Sequence, residues 1–168
     1  SYLAVLSLKD LRVVQLGTPE LDEVQLENKI TKSIALASTD APYRRNYSWD
    51  IQLGRDVYLL DLTTGAKELI EKNASGAARL SPEGNYAYWY DARDSSWVAY
   101  DLKAKAKINL TAAIPVPFYD EIHDSPSLPS SYGAAGWLEG DASFLINDRF
   151  DLWKVDPRNP AAAQNITG

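Results

Sequence analysis

The feature that most limits what this chain can fold into is a phrase it repeats. Asp56-Val-Tyr-Leu-Leu-Asp61-Leu-Thr-Thr-Gly65, Ser96-Trp-Val-Ala-Tyr100-Asp101-Leu-Lys103 and Phe150-Asp-Leu-Trp153-Lys-Val-Asp156-Pro157 are each an alternating apolar and polar run with an Asp before a turn. A second short polar run follows each one, over Ala66 to Lys72, Lys105 to Thr111 and Ala161 to Thr167. A further phrase precedes them: Ala78-Arg-Leu80-Ser-Pro-Glu-Gly84-Asn85, Gly136-Trp-Leu138-Glu-Gly-Asp141, and a weaker form, Val24-Gln-Leu26. Leu26, Leu80 and Leu138 are therefore in phase. Period-2 alternation is the pattern of half-buried strands, so the chain reads as a tandem repeat of short antiparallel strands.

A four-strand unit that recurs at this spacing predicts an all-β fold, a partial β-propeller of about three and a half four-stranded blades, in which each blade needs neighbours to bury its faces. The expected organisation is one partial propeller domain over residues 1–168: the end of one blade over 1–17, then blades over 21–72, 77–113 and 133–168. Residues 2–17 read as a hairpin with Lys9-Asp10 at its bend. In the clearest unit, Pro82 and Gly84 supply the fixed φ and the permissive residue that a tight turn uses. Tyr86, Tyr88 and Tyr90 alternate with Ala87 and Trp89, which predicts two covered faces. Trp137 and Trp153 lie in the repeat phase, where a large aromatic is expected to pack on the next blade. The aspartates at 61, 101 and 156 occupy equivalent turn positions and read as structural.

Composition excludes several function classes. The formal net charge of -6 argues against a nucleic-acid partner, which needs clustered Lys and Arg. No apolar run approaches the ~18 residues of a membrane-spanning helix. With no Cys, there is no disulfide, thiolate metal site or cysteine nucleophile. The sequence opens without Met inside a strand pattern, and reads as a piece of a longer chain. No phosphate-binding loop, dinucleotide fingerprint or Gly-x-Ser-x-Gly elbow is present, so neither a cofactor nor a catalytic residue is expected.

Two insertions interrupt the repeat and hold the candidate site residues, because long loops on a rigid β scaffold carry recognition. The first, from Thr39 to Arg55, contains Arg44, Arg45 and Trp49; the arginines could grip a carboxylate or a facing domain, or pair with Asp40, Asp50 or Asp56. The second, from Ile114 to Gly133, contains Tyr119, Asp120, Glu121 and His123, and its four prolines exclude a helix. Asp120 and Glu121 could hold a peptide's α-amino group, or be solvated neighbours. His123, the chain's one histidine, lies among Asp120, Glu121 and Asp124, yet four side chains so close in sequence cannot all converge on one ion, and a hydrogen-bonded loop histidine is the plainer reading. Asn46-Tyr-Ser, Asn73-Ala-Ser, Asn109-Leu-Thr and Asn165-Ile-Thr match the glycosylation sequon, a pattern short enough to arise by chance.

Arg55 to Gly65, Val116 to Pro129, Tyr132 to Trp137 and Asp148 to Pro157 together resemble the propeller domain of prolyl oligopeptidase family serine peptidases, particularly of Bacteroidetes-type bacteria. The segment from Val116 to Trp137 is the most specific part. The resemblance implies a non-catalytic propeller that gates peptide access to a C-terminal α/β-hydrolase domain whose triad matches nothing in this chain. It also implies peptide substrates and a periplasmic or extracytoplasmic location. The alternative is a Tol-type protein-binding propeller without an enzymatic partner domain. Apolar blade faces exposed at the ends of a partial ring predict self-association of the chain by itself.

Overall fold

The computed structural model describes residues 2–21, 23–26, 32–46 and 54–168, with residue 46 described by its backbone alone. The expected Trp49 site and the sequon serine at position 48 lie outside the described residues. The chain divides into two compact units, Ser1–Ala74 and Ser75–Gly168.

In the first unit, β1 (Ala4–Leu6) and β2 (Val13–Gln15) form a two-stranded sheet, while β3 (Glu23–Gln25), β4 (Ile34–Thr39), β5 (Arg55–Asp61) and β6 (Lys67–Ala74) form a four-stranded sheet in chain order. Pairing is antiparallel throughout, with Leu36 opposite Leu59 and Ala37 opposite Tyr58. The alternation read from the sequence has a physical outlet here: Leu16, Leu21, Ala35, Ala37 and Leu60 form a buried cluster, and Val5, Val14 and Tyr58 pack on it.

The second unit holds two four-stranded antiparallel sheets in chain order. One contains β7 (Arg79–Leu80), β8 (Tyr86–Asp91), β9 (Ser96–Asp101) and β10 (Ala106–Asn109); the other β11 (Ala134–Trp137), β12 (Phe144–Asn147), β13 (Leu152–Val155) and β14 (Gln164–Asn165). They share one aromatic core. Phe144 is fully buried, and its ring lies 4.8 Å from Trp137, 4.9 Å from Tyr88 and 5.3 Å from Trp97. Trp137 stacks on Tyr86 at 5.3 Å and 7°. Such ring pairs add about 0.5–1.5 kcal/mol each beyond the area they bury. Trp137 thus packs on the preceding sheet, against Tyr86 and Tyr88.

The repeated aspartates close turns. Asp61 Oδ1 accepts from the amides of Thr63 and Thr64 at 2.7 and 3.0 Å, and Asp101 Oδ1 from those of Lys103 and Ala104, both at 2.8 Å. Asp156 Oδ1 accepts from the Arg158 amide at 2.9 Å. The Thr64 and Thr63 amides hold the Asp61 carboxyl below its ordinary range. The in-phase leucines are not equivalent, however: Leu80 is 5% exposed, whereas Leu26 is 47% and Leu138 38% exposed. Leu80 lies inside β7, but Leu26 and Leu138 follow the last residues of β3 and β11, where the chain leaves the sheet.

Strands that run alternately up and down send their connections alternately to opposite ends. In the second unit, the β7–β8, β9–β10, β11–β12 and β13–β14 connections share one end of their sheets. The β8–β9 and β12–β13 turns, together with the 110–133 link from β10 to β11, share the other.

Candidate functional site: the loop from Ile114 to Gly133

At that second end the longest described connection is a loop closed on itself and seated by its base. Phe118 is 2% exposed and meets the Trp153 ring at 6.5 Å, edge to face. Tyr119 bridges Ser131; the Asp120 amide donates to the Ser130 carbonyl at 2.8 Å and the Tyr132 amide to the Phe118 carbonyl at 3.1 Å. The Tyr132 hydroxyl accepts from the Glu121 amide at 3.1 Å. Apolar burial at the base with backbone pairing above it makes a compact Ω-type loop, whose tip carries exposed Glu121, Ile122 and Asp124.

The geometry assigns His123 a role that sequence left open. Its Nε2 lies 2.8 Å from the Ser127 carbonyl oxygen, which can only accept, so Nε2 carries the proton. The Ser125 hydroxyl, 2.9 Å from the same nitrogen, therefore cannot hand it a proton, and the pair is not a nucleophile and base. His123 is a loop brace. Asp120 Oδ1 accepts from the Ile122 amide at 3.1 Å, so this carboxylate is turned back on its own backbone. Among the described residues no group of three or more His, Asp or Glu side chains could hold a metal ion.

The structure brings Tyr119, Asp120, Glu121 and His123 together on this one loop. Arg44 and Arg45 belong to the other unit, on a 3-10 turn over Arg44–Asn46. Arg44 Nε pairs with Asp40 at 2.7 Å, while Arg45 is exposed. The Tyr43 hydroxyl pins the start of that insertion by donating to the buried Asp56, whose Oδ1 also accepts from the Asn73 amide at 2.9 Å.

Two polar devices escaped the sequence reading. At the opposite end of the second unit, Asp141 is 3% exposed and sits at φ 54°. Its Oδ2 accepts from the Ser81 hydroxyl at 2.6 Å and the Asn85 amide at 3.2 Å, and its Oδ1 from the Glu83 amide at 3.1 Å. The β11–β12 connection is thereby tied to the β7–β8 turn. The available signal was that Asp141 occupies the Glu83 position of the repeated phrase. The second device explains two sequons. The Thr111 Oγ1 accepts from the Trp97 amide at 3.2 Å, and the Thr167 Oγ1 from the Leu152 amide at 2.9 Å. Asn109 and Asn165 in turn accept from the Thr111 and Thr167 amides at 3.0 and 3.1 Å. Asn-x-Thr is here a clasp that ends an outer strand.

No family model matches the chain, and no curated protein matches it. Among solved structures, TolB from Acinetobacter baumannii is similar with a TM-score of 0.50 and 15% identity, over 99% of this chain and 37% of that one. The β-propeller domain of the trilobed protease from Pyrococcus furiosus, described with an open velcro topology, has a TM-score of 0.47 and 14% identity, over 84% of this chain and 42% of that one. The chain thus spans well under half the length of either. The sheet order and the likeness to TolB establish the fold: this chain is a partial β-propeller.

Proposed function

We propose that this chain is the non-catalytic propeller portion of a prolyl oligopeptidase-type serine peptidase and that it gates peptide access to a hydrolase domain lying outside these residues. The observation that carries the reading is the 114–133 loop: the segment with the most specific resemblance to that family is also a preformed loop, anchored through Phe118, with Glu121, Ile122 and Asp124 directed to solvent. A fixed loop over a rigid blade can select peptides by size and end chemistry while the chemistry occurs elsewhere. In this reading Tyr119, Asp120, Glu121 and His123 line or brace the peptide path, Arg44, Arg45 and Trp49 contact substrate or the hydrolase domain, and the protein works outside the cytoplasm. One partial propeller domain spans the chain. The second reading is a Tol-type protein-binding propeller with no enzymatic partner domain, and the similarity to TolB is as compatible with it as with the first.

Reading the coding sequence downstream of Gly168 separates the two. A Gly-x-Ser-x-Gly strand-turn-helix segment after further blades is the expected result, and termination after the blades contradicts it. In the intact protein, replacing residues 120–128 by a Gly/Ser linker should shift the preference between short and long peptides while active-site labelling by a fluorophosphonate stays unchanged. An unchanged size preference would refute gating by this loop.

A further inference from the structure

The 114–133 loop is mounted on the β12–β13 hairpin at both its ends. Near its start, the buried Phe118 meets the Trp153 ring edge to face at 6.5 Å. At its close, the Gly133 carbonyl accepts from the Asn147 amide at 3.1 Å. Between these two anchors stands Asp148. Its Oδ2 accepts from the Trp153 indole N–H at 2.7 Å, and its Oδ1 from the Phe150 and Asp151 amides at 2.7 and 2.6 Å. One carboxylate therefore fixes both the turn and the ring on which the loop sits.

The neighbouring sheet shows that this tether is not a routine part of the repeat. Trp97 and Trp153 occupy the same register, each in the second pair from its turn, opposite Tyr90 and Ile146. Yet the Trp97 indole N–H is buried without an acceptor, and Asp91, the acid at that turn, accepts from the Ser75 hydroxyl and the Arg93 amide instead. Trp97 meets the rings of Tyr90 and Phe144, strand residues of the two sheets, whereas Trp153 meets the ring of the loop. A bond from an indole to a carboxylate is charge-assisted and directional, so it sets the tilt of the ring, and an edge-to-face contact depends on that tilt. We propose that Asp148 is a positioning residue for the 114–133 loop: by holding the Trp153 indole it fixes the seat of Phe118, and with it the placement of the exposed tip at Glu121, Ile122 and Asp124. The positioning needs no assumption about a ligand; its consequence for which peptides pass rests on the gating proposed above.

The test uses the intact protein, isotope-labelled. Asp148→Asn keeps one oxygen for the turn amides and sets an N–H donor against the indole N–H, so the Trp153 indole resonance should move and its proton exchange faster. The Asp120 and Tyr132 amides, which close the loop's base on the Ser130 and Phe118 carbonyls, should exchange at least about tenfold faster, and by a larger factor than the Tyr86 amide, which reports global unfolding. Asp148→Ala, with no acceptor at all, should act in the same way. In a Trp153→Phe background neither substitution should accelerate those two amides further, because the route through the indole is already cut. Acceleration at Asp120 and Tyr132 no greater than at Tyr86 in both variants would reduce Asp148 to a stabiliser of its turn and overturn the proposal, as would full additivity with Trp153→Phe. Peptide-size preference read on the same proteins separates the two claims. A loosened base with unchanged preference refutes the gating and supports the positioning; a preference altered by replacing residues 120–128, with the base unmoved in both Asp148 variants, refutes the positioning and leaves the gating.

Discussion

The two ends of the second unit use the same device, side chains bonded to nearby backbone, with opposite consequences. At one end Asp141 reaches the Ser81 hydroxyl and the Glu83 and Asn85 amides, across 56 to 60 residues of chain, and so joins two sheets. At the other, His123 and Asp120 bond only to groups two to four residues away, apart from the backbone pairing at the loop's base. Long-range bonds among buried groups stabilise the whole unit, whereas short-range bonds on an exposed loop shape the loop alone. The comparison assigns architecture to the Asp141 end, and recognition at the loop end is the proposed role.

The largest effect that sharpens this contrast lies in the core that both ends share. Phe144→Ala should lower the unfolding free energy by about 3–5 kcal/mol, read by denaturant melts, because it removes a ring in contact with Trp137, Tyr88 and Trp97. Trp137→Ala should fall in the same range. A loss near zero for either would mean that the two sheets do not depend on this packing.

Next in size is Asp141→Ala, which leaves the Ser81 hydroxyl and two amides without their acceptor. A loss of about 2 kcal/mol is expected, since each buried donor left unpaired costs on the order of 1–3 kcal/mol and partial relaxation recovers some of it. If Asp141→Ala were as stable as the parent, the proposed joint between sheets would be broken as an idea.

A smaller effect is tied to pH. Burial raises the Asp148 carboxyl, but bonds from the Trp153 indole and the Phe150 and Asp151 amides outweigh it and leave the group below its ordinary range. A depressed folded-state value means that Asp148 contributes stability above the unfolded carboxyl's value near 4, and that the contribution is lost as pH falls through the folded value. Asp148→Asn should therefore melt below the parent at pH 7, and the gap should close as pH falls below about 4. A gap independent of pH would show that the carboxylate's charge is not what holds the β12–β13 turn.

Smallest of all, His123→Ala and Ile122→Ala should each change stability by no more than about 0.5 kcal/mol, the range of surface substitutions away from core and caps. By this account the loop's exposed tip is free to vary without threatening the fold, whereas its base at Phe118 is not. A loss as large as that of Trp137→Ala would make the loop an organiser of the core.

Much of this was legible in the sequence because it is local. The turn aspartates bond two or three residues ahead, so Asp61, Asp101 and Asp156 could be read from position alone. The count of three and a half sheets followed from period-2 runs and their punctuation. What escaped is non-local. The Ser81–Asp141 bond depends on two turns being brought side by side, and the place of Asp141 in the repeated phrase does not by itself name that partner. The burial of Leu80 and exposure of Leu26 and Leu138 depend on where strands end, which shared phase does not report. The loop's composition singled out Tyr119, Asp120, Glu121 and His123 as candidates, but the bonding of His123 required a distance to the Ser127 carbonyl.

Native-state amide exchange across the second unit tests the central claim most directly. The account predicts that the Asn85, Tyr86 and Leu138 amides, which bond at the joined end to Asp141 and Ser81, to Ser81, and to the Ser143 carbonyl, exchange only through global unfolding. The Ile122 and His123 amides, bonded within the loop to Asp120, should exchange by local opening at a much lower free energy. Equal protection at both ends, or faster exchange at Tyr86 than at His123, would contradict it.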